Sequence, residues 1–119
     1  MTDTIATFGS TKVFVVSSDG PSLASEQGAL DVIGATYGQD IDMIAVPASR
    51  LGDDFFKLST GIAGGFIQKF MNYSHRIAIV GDISSYVERS KPLHDFVYES
   101  NKGKQVAFVP DLEALAARF

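Results

Sequence analysis

The sequence contains no cysteine. Disulfide scaffolds, thiolate metal sites and cysteine nucleophiles are excluded from the outset. Its two histidines, His75 and His94, fall in no metal-ligand spacing, and nothing else points to a metal or a cofactor. No apolar run approaches the roughly 20 residues that a membrane-spanning helix needs. The stretch from Met1 to Ser10 lacks the basic-then-apolar order of a secretory signal, so a cytoplasmic protein is the expectation. Basic residues are in deficit: ten Lys and Arg stand against 14 Asp and Glu, for a formal net charge of −4. That balance argues against broad binding to nucleic acid or to an anionic membrane.

What is present has the composition of a globular chain. Of 119 residues, 45% are hydrophobic and 20% charged, which is too apolar for disorder. The length suits one domain, 1–119, and not two. Area scaling gives roughly 6,300 Å² of surface folded and roughly 18,600 Å² unfolded, enough burial for a core without staples. Charge is unevenly spread. Residues 1–60 hold eight acids and three bases, whereas residues 61–119 hold six acids and seven bases. The second half is the one suited to an acidic partner or a phosphate.

Periodic segments follow one another with short breaks. Thr4–Phe8 and Lys12–Ser17 read as two strands around a Gly-containing turn. Ser25 to Tyr37 reads as a helix, with Ser25 as cap and Gly38 just past its end. Ile41–Val46 is a strand stopped by Pro47, and Ala48–Lys57 a loop with the acidic pair Asp53-Asp54. Thr60–Tyr73 reads as a helix and Arg76–Gly81 as a strand. Ser90–Asn101 is a helix capped by Ser90, with Pro92 in its first turn. Gln105–Val109 is a strand and Asp111–Arg118 a short terminal helix. This β-β-α-β-α-β-α-β-α order predicts a single-domain α/β fold with a mixed, largely parallel sheet of about five strands and alternating helices. Ligands of such sheets tend to meet the carboxyl ends of the strands.

The most informative segment runs from Ser59 to Tyr73. On a helical wheel Ile62, Ala63, Phe66, Ile67, Phe70, Met71 and Tyr73 share one half, which is a core face. Gly61, Gly64, Gly65, Gln68, Lys69 and Asn72 share the other. Helical glycine costs roughly 1 kcal/mol relative to alanine, so a face that merely met water would carry other residues. Something therefore comes close to that backbone: another helix of the same chain, a ligand, or a protein partner or second copy. Gln68 and Asn72 extend the strip with amide donors and acceptors. Ser59 and Thr60, just before the helix, serve either as caps or as a phosphorylation or anion site.

Other chemistry is thinner. Asp82 sits at the carboxyl end of a strand, and Glu26 shares a helix face with Leu30 and Ile33, which turns its carboxylate inward. Glu26, Thr60 and Asp82 would then converge as a pocket, two carboxylates near a hydroxyl. Helix-start and turn-capping roles account for the same carboxylates. Arg89, Lys91, Lys102 and Lys104 flank the third helix and could form a small anion patch. The Gly61–Gly65 run is no phosphate loop, because no Gly-Lys-Ser/Thr follows it.

Several runs carry a family resemblance: Ser25-Glu26-Gln27 with Ala29-Leu30, Asp54-Phe55-Phe56-Lys57-Leu58 with Thr60-Gly61 and Ala63-Gly64, Gln68-Lys69-Phe70 with Asn72-Tyr73, and Glu99-Ser100-Asn101 with Gly103. Together they resemble bacterial proteins of domain-of-unknown-function family 4180, from about Lys12 to the end of the chain. The resemblance supplies no reaction. The element order and a helix opening with Ser/Thr-Gly are also similar to the sulfate-transporter and anti-sigma-factor-antagonist (STAS) fold. That likeness implies a partner-binding surface at the helix start and a phosphorylatable Ser or Thr, matched here by Thr60 with Ser59 beside it. The chain departs from that pattern in its loop of about ten residues before the helix and in lacking the usual Asp-Ser. Taken together, the expectation is a non-enzymatic regulatory or interaction module, a homodimer among the options. The alternative is a small-molecule or nucleotide-binding protein, an enzyme among the options, with a pocket near Glu26, Thr60 and Asp82.

Overall fold

A two-residue reversal at Gly9 and Ser10 pairs β1 (Thr4–Phe8) antiparallel with β2 (Thr11–Val15), Phe8 lying opposite Thr11. Gly9 is left-handed at φ 61°, the conformation that such a tight hairpin demands. The computed structural model describes residues 3–119. After the hairpin come α1 (Glu26–Ala35), β3 (Met43–Pro47), α2 (Ile62–Asn72), β4 (Arg76–Val80), α3 (Ser84–Arg89), α4 (Lys91–Lys102), β5 (Val106–Val109) and α5 (Leu112–Ala116). The strands lie in the sheet in the order β1-β2-β3-β4-β5, and β2 to β5 are parallel. The protein is thus the mixed, largely parallel α/β domain that its sequence predicts. Its solvent-accessible surface is 6473 Å², close to the area-scaling value.

Sequential strand order has a consequence for the layers. Every crossover steps in the same direction, and right-handed crossovers then put their helices on one face. The larger core lies on that face, joining Phe14, Ile44, Ile77 and Phe108 of the strands to Ile33 of α1, Phe66 and Phe70 of α2 and Leu93 of α4. Phe66 meets Phe55 edge-on at 5.5 Å between ring centroids and Phe70 at 5.1 Å. Each such ring contributes about 1.5–3 kcal/mol by leaving water. A smaller core on the opposite face has Val13, Met43, Ala45, Ala78, Ala107 and Val109, covered by Leu115 of α5. Small strand residues there let a short helix sit close to the sheet.

Local chemistry sets most boundaries. Ser25 caps α1, its hydroxyl accepting from the Gly28 N–H at 2.9 Å, and Ser90 caps α4 through the Leu93 N–H. Four departures from expectation have physical causes. Helix α2 opens at Ile62 and not at Thr60, because Gly61 is left-handed at φ 77°. Residues 48–60 are not a plain loop. They wind through three 3₁₀ turns, Ala48–Arg50, Asp53–Phe56 and Leu58–Thr60, and bury Leu51, Phe55 and Phe56. The extra helix α3 has only six residues and no side-chain cap, so it leaves little periodicity to read. Tyr73, assigned to the core face of α2, lies at the helix end and is 48% exposed.

Candidate functional site

The start of α2 is held by Thr60. Its hydroxyl shares its proton between the carbonyls of Lys57 (2.8 Å) and Asp54 (3.0 Å) and accepts from the Ile62 N–H at 3.2 Å. It closes the last 3₁₀ turn and satisfies the first N–H of the helix in one residue. Esterifying that oxygen would remove both donated bonds. Ser59 beside it is exposed.

Along the outer face of α2, Gly64, Gln68 and Asn72 recur at every fourth residue and are exposed. The Gln68 amide donates to Asn72 Oδ1 at 2.9 Å. A Cβ built at Gly64 would find no neighbouring atom within 4 Å, whereas one at Gly65 would meet the Glu26 side chain at 3.7 Å. Packing within the chain therefore reaches Gly65 but not Gly64. Gly61 is exposed too, but its left-handed backbone already accounts for glycine there.

Glu26, Thr60 and Asp82 have separate local partners. Glu26 is not turned inward. It is exposed and lies against α2, with Lys69 Nζ 3.3 Å from its Oε1. Its position in the first turn of α1, before the buried Ala29 and Ile33, puts it at the margin of the packed face. Asp82 accepts from the Ser84 N–H at 3.0 Å. The Ser84 hydroxyl and that N–H hold its carboxyl below the ordinary range. Asp82 borders two clefts, beside Ile83 and Pro110 and beside Ala48 and Tyr86, and neither Glu26 nor Thr60 lines either of them. The anion patch expected of Arg89, Lys91, Lys102 and Lys104 is dispersed. Lys91 pairs with Asp95, Lys102 with Glu99, and Arg89 lies 5.6 Å from the Tyr86 ring. His94 is exposed beside Asp95, and partial burial lowers the pKa of His75.

Some residues that shape this end of the fold escaped the sequence reading. Arg50 donates to the carbonyls of Ser17 and Pro21, both at 2.8 Å, while its own carbonyl accepts from the Leu23 N–H. It thereby pins the β2–α1 loop. The available signal was its isolation as one of three bases among 60 residues. Tyr86 stacks on Phe56 at 4.6 Å and hydrogen-bonds Asp53, which raises the phenol pKa. On the sheet face that carries α5, an apolar cleft of about 370 Å³ opens between Val15, Ala45, Pro47, Val80 and Leu112.

The comparisons with known proteins bear on family alone. The model of the family described as Domain of unknown function (DUF4180) matches residues 8–119. The chain belongs to the DUF4180 family. No curated protein and no solved structure matches it. Among the described residues of this DUF4180 chain, no group of three His, Cys, Asp or Glu is placed to hold a metal, and no helix is long and apolar enough to cross a membrane.

Proposed function

We infer that this DUF4180 protein is a non-enzymatic interaction or regulatory module of the bacterial cytoplasm, presenting the outer face of α2 and its start at Thr60 to another protein. Gly64 carries the reading. Its glycine weakens the helix by about 1 kcal/mol, and no atom of its own chain comes near enough to explain it. A second backbone pressing against that strip supplies the missing reason. The occupant favoured by charge is a second copy. Gly61, Gly64, Gln68 and Asn72 are all uncharged, and Lys69 at the margin of the strip is paired with Glu26, so two chains of net charge −4 can meet there without bringing unpaired like charges together. The STAS-like view of the fold belongs to the same proposal and is supported by the sequential sheet with α1, α2 and α4 on one face.

Sedimentation velocity of wild type and Gly64→Lys tests it. The expected result is a wild-type dimer and a folded Gly64→Lys monomer. A wild type that stays monomeric at every concentration removes the second copy as occupant. A dimer indifferent to Gly64→Lys removes the α2 face. A second reading, a small-molecule-binding protein, is supported by the clefts beside α5 and not by Glu26, Thr60 and Asp82. A panel of nucleotides and metabolites raises the melting temperature if it holds.

A further inference from the structure

We propose that the amino-terminal end of the sheet face that carries α5 binds a small monophosphate ester carrying a planar ring. A cleft of about 470 Å³ lies there, lined by Met43, Arg76, Lys104, Arg118 and Phe119. Gln105 and Ala107 complete the lining, so three of its seven residues are cations, in a chain whose net charge is −4.

Backbone carbonyls, and not carboxylates, hold the cations together. Arg76 Nε donates to the Lys104 carbonyl at 2.9 Å. The Arg118 guanidinium reaches the carbonyls of Asn101 (3.4 Å) and Gly103 (3.5 Å). Both arginines are thus anchored on the turn that carries Lys104. Elsewhere, Lys57, Lys69, Lys91 and Lys102 each lie within 4 Å of a carboxylate. Among the described residues, Arg76, Lys104 and Arg118 have no such partner. Gathered like charges without a counter-ion repel one another, and a bound anion relieves that repulsion.

The excess of charge and the guanidinium forks match a dianionic phosphate better than a single carboxylate. The rest of the lining matches a ring. The Phe119 ring lies 5.5 Å from the Arg76 guanidinium, and Met43 adds an apolar wall. A planar group can stack against that ring and guanidinium. The cleft volume falls within the usual range for small ligands. It also lies at the strand ends opposite to those where α/β sheets ordinarily bind.

Isothermal titration calorimetry on the full chain tests the site with phenyl phosphate, adenosine monophosphate, inorganic phosphate and adenosine. Among the described residues Lys104 makes no side-chain bond, and it is the cleanest position to reverse. The expected result is binding of both esters, weaker binding of inorganic phosphate and none of adenosine. Lys104→Glu and Arg118→Glu each weaken ester binding about tenfold, the loss of one charged contact, with melting temperature monitored for both. Binding of the nucleotide alone assigns the ring to a base, and equal binding of both esters assigns it to any aromatic group. No binding by any phosphate, equal binding by wild type and folded Lys104→Glu, or esters no tighter than inorganic phosphate each overturns the proposal. Gly64→Lys binds the esters as wild type does, so this site and the α2 face fail or survive separately.

Discussion

One methyl group separates the two explanations of the glycine face. Gly64 lies inside α2, its φ is not among the positive ones, and a Cβ there has open space. Gly64→Ala therefore gains the full helix-propensity difference, about 1 kcal/mol. In a domain of this size that raises the melting temperature by about 4 °C. Gly65→Ala gains a similar amount, because its Cβ meets the flexible Glu26 side chain at an ordinary 3.7 Å. Gly61→Ala goes the other way. At φ 77° an added Cβ crowds the backbone, and about 1 kcal/mol is lost.

Urea denaturation at concentrations too dilute for association reads these three signs, with unchanged m-values as the check that only stability moved. The same variants are then compared at high concentration. If a second backbone seats on the strip, Gly64→Ala stabilises the isolated chain and weakens association, and Gly64→Lys abolishes association while the chain stays folded. That opposition is the signature of a glycine kept for contact. A Gly64→Ala chain that is less stable than wild type refutes the open-space reading. Stabilisation with unaltered association refutes the contact.

Other perturbations test the scaffold. Gly28→Ala places a Cβ 2.2 Å from the Leu23 carbonyl oxygen, a backbone atom that cannot step aside, and loses about 3 kcal/mol or prevents folding, as equilibrium unfolding will show. Phe66→Ala empties a fully buried ring site between Phe55 and Phe70 and loses about 3–5 kcal/mol on the same assay. Arg50→Ala frees the Ser17 and Pro21 carbonyls and loses about 2 kcal/mol, with faster amide exchange at the Leu23 N–H. His75 is held below its ordinary pKa of 6.5 by partial burial. The unfolded chain then binds more protons just below that value, so stability falls as pH drops through it and levels off beneath the folded pKa. In urea midpoints followed from pH 8 to about 5, His75→Gln flattens that step.

The elements most legible in the sequence were those with one dominant local signal. Ser25 and Ser90 announce helix starts because a hydroxyl acceptor has few other uses directly before a periodic run. The β-branched runs at Val13–Val16 and Ile77–Val80 could only be strands. Residues 48–60 were illegible because their order comes from burial and not from period: Leu51, Phe55 and Phe56 are held inward by three short turns with no 3.6-residue repeat. Gly61 shows the limit of the wheel. The wheel counts it as helix, although its φ of 77° makes it the break before the helix. The face of α2 was otherwise read correctly over Ala63, Phe66, Ile67 and Phe70. The convergence of Glu26, Thr60 and Asp82 rested on strand order and helix phase, and neither fixes where an exposed carboxylate finds its partner.

The cationic cleft was invisible for a related reason. Position in the sequence groups Lys104 with Arg89, Lys91 and Lys102, whereas the fold groups it with Arg76 and Arg118. Sequential strand order is the cause. It sends the three crossovers to one face and leaves the other to α5 alone, five residues long. A helix that short cannot cover five strands, so uncovered sheet remains on both sides of it. One side is apolar, at Val15, Pro47 and Val80; the other gathers Arg76, Lys104 and Arg118. The glycine strip of α2 belongs to the helix layer on the opposite side of the sheet. A protein partner on α2 and a small anion beside α5 therefore do not compete for space. Any influence of one on the other would have to pass through β3 and β4, and would show as a change in phosphate-ester affinity on going from Gly64→Lys monomer to wild-type dimer.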